Sequence, residues 1–222
     1  MMVFLGLLTL AVIAGGVAVV VGGLFFWIKR HRARRTDMWR ALAERLGFDV
    51  VEPQDIPLRD AMAEAAAQAY QRFGLHRPRA IHGRRHLLRR SGASVVRLGD
   101  VTALGDGSDD VTLATLEDPS LDLPLFSVRP RGAFGAPSEP PVSLREDPGF
   151  EARFEVFAPD ADAVRAILKP DVRAALLGRG PRWYWQGSGQ TLAVEPGGTA
   201  QADEAEALVA GLEALARIVA RG

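Results

Sequence analysis

The chain of 222 residues has no cysteine. That absence excludes a disulfide scaffold, a thiolate zinc site, an iron–sulfur cluster and a cysteine nucleophile. Net charge is absent too, since 27 basic side chains balance 27 acidic ones. At 48% hydrophobic and 24% charged residues the composition is that of a globular protein, so wholesale disorder, a collagen-like repeat and a solenoid array are not indicated. No Walker loop occurs, and Gly178-Arg179-Gly180 runs into Pro181, without the helix N-terminus that would hold a phosphate. Gly187-Ser188-Gly189 lacks the spacer residues of a nucleophile elbow and reads as a turn.

Charge is also missing from one end of the chain. Met1 to Ile28 contains no Asp, Glu, Lys or Arg, and the run from Val3 to Ile28 is apolar or glycine apart from Thr9. About 20 such residues suffice to cross a bilayer as a helix. Lys29, Arg30, Arg32, Arg34 and Arg35 then place five positive charges within seven residues. A cleaved signal peptide would show a charged leading region, a shorter apolar core and a small-residue cleavage site. The flanks instead predict an uncleaved single-pass anchor over residues 1–28, a basic juxtamembrane segment over 29–35 and a soluble domain over 36–222. Cations are retained on the cytoplasmic side, so the expectation is a membrane protein with its N-terminus outside and its soluble domain in the cytoplasm. Trp27 suits the membrane interface. Ala11, Gly15, Ala18 and Gly22 supply small residues at helical spacing, which suggests a helix–helix dimer as one partner arrangement.

Beyond Arg35 the pattern is mixed. Thr36 and Asp37 look like a helix stop-and-start signal, followed by Trp39, Leu42, Ala43 and Leu46 on one face and Gly47 as C-cap. Phe48 to Val51 reads as a short strand, and Pro57 opens an alanine-rich helix reaching about Phe73. Alternation then predicts strands near His86–Leu88, Val95–Leu98, Val111–Leu116 and Leu123–Val128, with Gly105 to Asp110 as a hairpin tip. A loop rich in proline and glycine spans about 130–148 and is expected to be the least ordered part. Phe150 to Phe157 resumes as a strand. Asp160 caps a helix that Lys169-Pro170 breaks, Pro170 opens another that Gly178 ends, and Trp183–Trp185 pairs with Leu192–Val194 around a glycine turn. A final helix begins with Asp203, Glu204 and Glu206 and buries Leu208, Leu212, Leu215 and Val219. Helices interspersed irregularly among antiparallel-type strands indicate an α+β fold, a mainly antiparallel sheet with helices packed on one face, and not a doubly wound nucleotide fold.

Candidate sites are few. Arg72 to Arg90 holds seven arginines and no acid. Lys29, Arg30, Arg32, Arg34, Arg35, Arg84, Arg85, Arg89 and Arg90 are therefore the candidate contacts to an anionic surface. Against that stands pairing of the block with the acidic hairpin Asp100 to Asp122, the favoured reading. Nucleic acid is not expected, since the arginines show no regular aromatic interleaving for base stacking. His82 and His86, with His76 nearby, would share a ligand face only on a helix, which Gly83 and the surrounding arginines oppose. Asp106, Ser108, Asp110 and Glu117 fit calcium-loop positions, but Val111 stands where the sharp turn needs glycine. Asp109 with Asp110 reads as a loop tip and Asp160 with Asp162 as a helix cap, so no catalytic, cofactor or metal residue is assigned.

The stretch Leu121 to Arg131 with its Leu-Pro-x-Phe strand, then Phe150 to Val156, Ala163 to Leu168 and Pro170 to Leu176, resembles a family of uncharacterised bacterial single-span membrane proteins. The resemblance implies an N-terminal anchor joined to an α+β domain of unknown function and supplies no functional residues. The chain departs from it in its acidic tip and its proline-rich segment after Phe134. The expectation is a non-enzymatic binding module at the cytoplasmic membrane face, its partners the lipid bilayer or another membrane or cytoplasmic protein. A membrane-tethered enzyme is the alternative, favoured by a deep pocket of desolvated ionisable groups. An envelope-facing domain in inverted topology would break the charge rule.

Overall fold

The computed structural model describes residues 2–51, 80–104, 110–133, 140–144, 146–179 and 182–221. Side chains of residues 2–19, 28, 31–32, 80–86, 102–104 and 110 lie outside that description. The chain divides into two compact units, residues 1–42 and 43–222.

The first unit belongs to one long helix, α1 (Met2–Leu46), whose final turn opens the second unit. The stop-and-start expected at Thr36-Asp37 does not occur. No proline or glycine falls between Leu24 and Leu46, and a capping residue inside a helix costs only tenths of a kcal/mol, about 0.5, so continuation wins. Arg35 lies over the Trp39 ring, 5.6 Å from its centroid. Among the described residues no helix is long and apolar enough to cross a membrane. Most of the apolar run expected to form an anchor, and Ala11, Gly15 and Ala18 with it, lies before Val20, outside the described side chains.

Gly47 ends α1 as expected, at φ +68°, and the Phe48 N–H donates to Ala43 O at 2.9 Å, closing a Schellman turn. The second unit is α+β. Among the described residues its sheet has eight antiparallel strands in the order β1-β2-β3-β4-β8-β7-β5-β6. They are β1 (Asp49–Val51), β2 (Ala80–Ser91), β3 (Ser94–Leu104), β4 (Asp110–Glu117), β5 (Leu123–Pro130), β6 (Phe154–Phe157), β7 (Tyr184–Gly189) and β8 (Thr191–Glu195). The alanine-rich helix expected from Pro57 lies outside the described residues.

β2 and β3 are longer than their apolar alternation alone suggested, because the two-residue turn Gly92-Ala93 pairs Ser91 with Ser94 and zips the ladder outward. Gly92 takes φ +61° at the first turn position, the type II′ requirement. The hairpin at β7–β8 is present but turns at Gly189-Gln190, with Gly189 at φ +56°. Gly187 is inside the strand. β3 and β4 pair as the acidic hairpin requires, Thr102 opposite Asp110, while the tip 105–109 lies outside the described residues.

Two expectations in the middle of the chain need correction. Phe150 is not in a strand: Asp147-Pro148 starts a short helix, α2 (Pro148–Glu151), with the Asp147 side chain accepting from Phe150 N at 3.0 Å. Only Phe154–Phe157 is extended, although Phe150, Phe154 and Val156 are all buried as the pattern suggested. Nor is the whole of 130–148 loose. Val142 N–H donates to Val156 O at 2.7 Å, and Leu144 is wholly buried.

The helices α3 (Ala161–Ile167) and α4 (Pro170–Leu177) follow the reading closely. Asp160 accepts from Asp162 N and Ala163 N, and Pro170 occupies the first turn of α4. The last helix, α5 (Ala202–Val219), lies across β3, β4 and β8 and touches α4. It buries Leu208, Leu212 and Leu215, while Val219 is half-buried at the end. The sheet face that meets α5 is apolar: Val96, Leu98, Ala114, Leu116, Leu192, Val194 and Trp185 share it by register and are buried.

Candidate functional site

A groove runs along the C-terminal half of α5. Its outer wall is the turn after β4, where Pro119 follows Asp118 and the chain reverses. The Asp118 carboxylate accepts from Ser120 N at 2.8 Å, Ser120 Oγ at 2.6 Å and Ser94 Oγ at 2.6 Å. Asp118 N–H also donates to Gln190 O at 2.9 Å, tying the turn to the β7–β8 hairpin. The Ser120 hydroxyl, then the Ser94 hydroxyl, hold the Asp118 carboxyl below its ordinary range.

Two clefts open on either side of this turn, and both are lined by Ser120 and Ala220. The larger, of about 440 Å³, lies between the end of α5 and the α3–α4 junction. Leu121, Ala166, Ile167, Val172, Ile218 and Val219 give it apolar walls, with Asp122, Asp171, Lys169 and Arg221 also lining it. The smaller, of about 230 Å³, is lined by Ser91, Ser94, Asp118, Glu213 and Arg217 over Val96 and Leu116. None of these residues was singled out from the sequence as a site. They come from four separated stretches, and only the Asp-Pro-Ser turn carries a local signal.

The opposite sheet face carries a second polar group. By register Glu155 (β6), Arg129 (β5), Tyr184 (β7) and Glu195 (β8) form one row across four strands. Arg129 is 2% exposed, 3.3 Å from Glu155 Oε2, and its guanidinium lies 4.7 Å from the Phe157 ring centroid. Burial, and then the Glu195 carboxylate, push the Tyr184 phenol above its usual value, with Arg129 opposing. A phenol that keeps its proton donates hydrogen bonds and does not serve as a base at neutral pH. Ser127, Gln186 and Thr115 continue this buried polar face in the next row. Neither Asp118 nor Glu146 has the raised pKa of a general acid. The Glu146 carboxyl is lowered by a backbone hydrogen bond and then by Arg173, 2.7 Å away.

The arginines proposed from the sequence for an anionic surface are not placed alike. Lys29, Arg30, Arg34 and Arg90 are exposed, Arg35 is half-buried against Trp39, and the side chains of Arg32, Arg84 and Arg85 lie outside the described residues. Arg89 is turned inward: it donates to Leu46 O at 3.0 Å, stacks on Phe48 and pairs with Glu213 of α5. Its partner is therefore α5, not the acidic hairpin, whose Glu117 pairs with Arg97 instead. Among the described residues no three His, Asp or Glu side chains converge on a metal-sized site. His82 and His86 are four residues apart on strand β2, a backbone separation of about 13 Å. Asp110 and Glu117 stand at opposite ends of β4, about 23 Å apart, while His76, Asp106, Ser108 and Asp109 lie outside the described residues.

No family model matches the chain, and no curated protein does. Among solved structures, the crystal structure of the mycobacterial trehalose monomycolate transport factor A matches at a TM-score of 0.59 and 13% identity, covering 82% of this chain and 92% of that one. At that identity the likeness is one of fold: this chain shares the α+β architecture of the transport factor.

Proposed function

We propose that this chain is a single-pass membrane-anchored protein whose α+β unit is a non-enzymatic binding module serving lipid transport at the cytoplasmic face of a bacterial inner membrane. The observation that carries the reading is the exposure of Val20, Val21, Leu24, Phe25, Phe26 and Trp27, each between 56% and 70% exposed on consecutive turns of α1. An apolar stretch uncovered all round a helix is stable in lipid or against a partner and not in water. It continues the uncharged run from Val3 and stops at Lys29-Arg30, the flank that retains a helix end on the cytoplasmic side. Residues 3–28 as helix measure about 39 Å, enough for the hydrocarbon core with some tilt.

The role in lipid transport is suggested by the name of the solved neighbour, a trehalose monomycolate transport factor. The Asp118 carboxylate is taken up by Ser120 and Ser94, and that of Glu146 by Arg173, which supports a structural use of both groups.

Membrane fractionation tests the anchor. The full chain stays in the membrane pellet through an alkaline carbonate wash, and a variant lacking residues 1–35 moves to the supernatant. A fluorescent reporter fused after Gly222 lights up, and a periplasm-dependent phosphatase at the same place stays inactive. The reverse pattern would overturn the topology, and release of the full chain by carbonate would overturn the anchor.

A further inference from the structure

We propose that the groove beside the C-terminal half of α5 binds one uncharged amphiphile, an alkyl chain carrying a hydroxylated headgroup such as a sugar. The proposal rests on the transport reading above and names the ligand class of that same groove. The larger cleft, at about 440 Å³, falls within the roughly 300–1,000 Å³ of small-molecule sites. Its apolar walls come from α3, α4 and the last turn of α5, with Leu121 and Val172 buried behind them. An alkyl chain laid there removes apolar surface from water at roughly 25 cal/mol per Å².

The smaller cleft offers what a polyol needs. Ser91, Ser94 and Ser120 supply hydroxyls that both donate and accept, Asp118 and Glu213 supply acceptors, and Arg217 supplies a fixed donor fork. Because Ser120 and Ala220 line both clefts, a chain in one and a headgroup in the other belong to a single molecule of modest length.

Charge selects among headgroups. Asp118, Asp122, Asp171 and Glu213 line the groove, and they are matched by Lys169, Arg217, Arg221 and, bound to Glu213 from outside the clefts, Arg89. The lining itself holds four acids and three bases, and Arg89 neutralises Glu213 from outside, so the groove attracts neither an anion nor a cation strongly. It also lies at the C-terminus of an 18-residue helix, the negative end of the macrodipole, which opposes a phosphate or sulfate further. Hydroxyl donors meet no such penalty.

The test uses the full chain in phosphatidylcholine nanodiscs with a dodecyl maltoside that carries a photoreactive diazirine in its alkyl chain. Mass spectrometry is expected to map the label to residues 166–172 and 218–221. Unlabelled dodecyl maltoside should compete, while maltose, dodecyl sulfate and dodecyltrimethylammonium compete at least tenfold less well. Ala220→Trp and Ala166→Trp place a ring in the groove from exposed positions, and each should cut labelling at least fivefold with an unchanged circular dichroism spectrum. Labelling elsewhere, or labelling indifferent to both variants, overturns the site. Stronger competition by either charged amphiphile overturns the headgroup class. If labelling fails while the carbonate wash still leaves the chain in the membrane, this proposal falls and the anchor reading stands.

Discussion

Gly187 shows how much a single hydrogen atom decides here. It lies within β7 opposite Phe126 of β5, and a Cβ built on it would stand 2.2 Å from Phe126 Cε1. Phe126 is buried on the apolar face and has nowhere to go, so Gly187→Ala should destabilise the fold by about 2 kcal/mol, read as a lower urea midpoint. Asp118 gives a pH signature. Its folded pKa lies below its ordinary 3.8, so the stability it contributes is present above the unfolded pKa and is lost as pH falls through the folded one. Ser120→Ala removes the largest cause of that shift. The variant should lose less stability than the parent between about pH 4 and about pH 2, and the Asp118 carboxyl should titrate higher by NMR. The glycine turn at 47, a glycine turn close to 189 and the cap at Asp160 were legible at this scale, because their signals reside in one or two adjacent residues, whereas the turn at Gly92 was not singled out. The inward turn of Arg89 was not, since its partner Glu213 lies 124 positions away.

The N-cap of α3 is an isolated, exposed device. Asp160→Ala should cost about 1 kcal/mol in thermal or urea unfolding, with the same slope against denaturant. The two ion pairs that reach α5 from the end of α1 and from β2 should differ. Arg45 and Glu206 are half exposed at 2.6 Å, and Arg45→Ala should change stability by less than about 1 kcal/mol. Arg89→Ala also forfeits the bond to Leu46 O and the stacking on Phe48, so its loss should exceed that of Arg45→Ala in the same titration. Elements with strong periodicity, α5 above all, match their sequence reading. Those set by competition do not: Thr36-Asp37 fails to stop α1, and Asp147-Pro148 diverts Phe150 from an apparently good strand. In both places a local signal met a neighbouring one, and propensities of tenths of a kcal/mol cannot rank them.

At the level of the molecule, the two units call for separate tests. Cutting residues 1–35 is expected to abolish membrane association and to leave the cooperative unfolding of the α+β unit in place, because its sheet and helices lie within residues 43–222. A single urea transition for the truncated chain, monitored at the buried Trp185, would bear this out, and its absence would show that residues before 36 are needed for folding. The sequence alone determined the uncharged run with its cationic flank, the α+β class, the hairpins, the capped helices and the stripe of α5. All are written in neighbouring residues or in one period. The groove, the buried Arg129 row and the fate of Arg89 were decided only by the tertiary structure. Each joins strands and helices distant in sequence, and strand order and register, set by the packing of the whole sheet, fix which distant side chains meet.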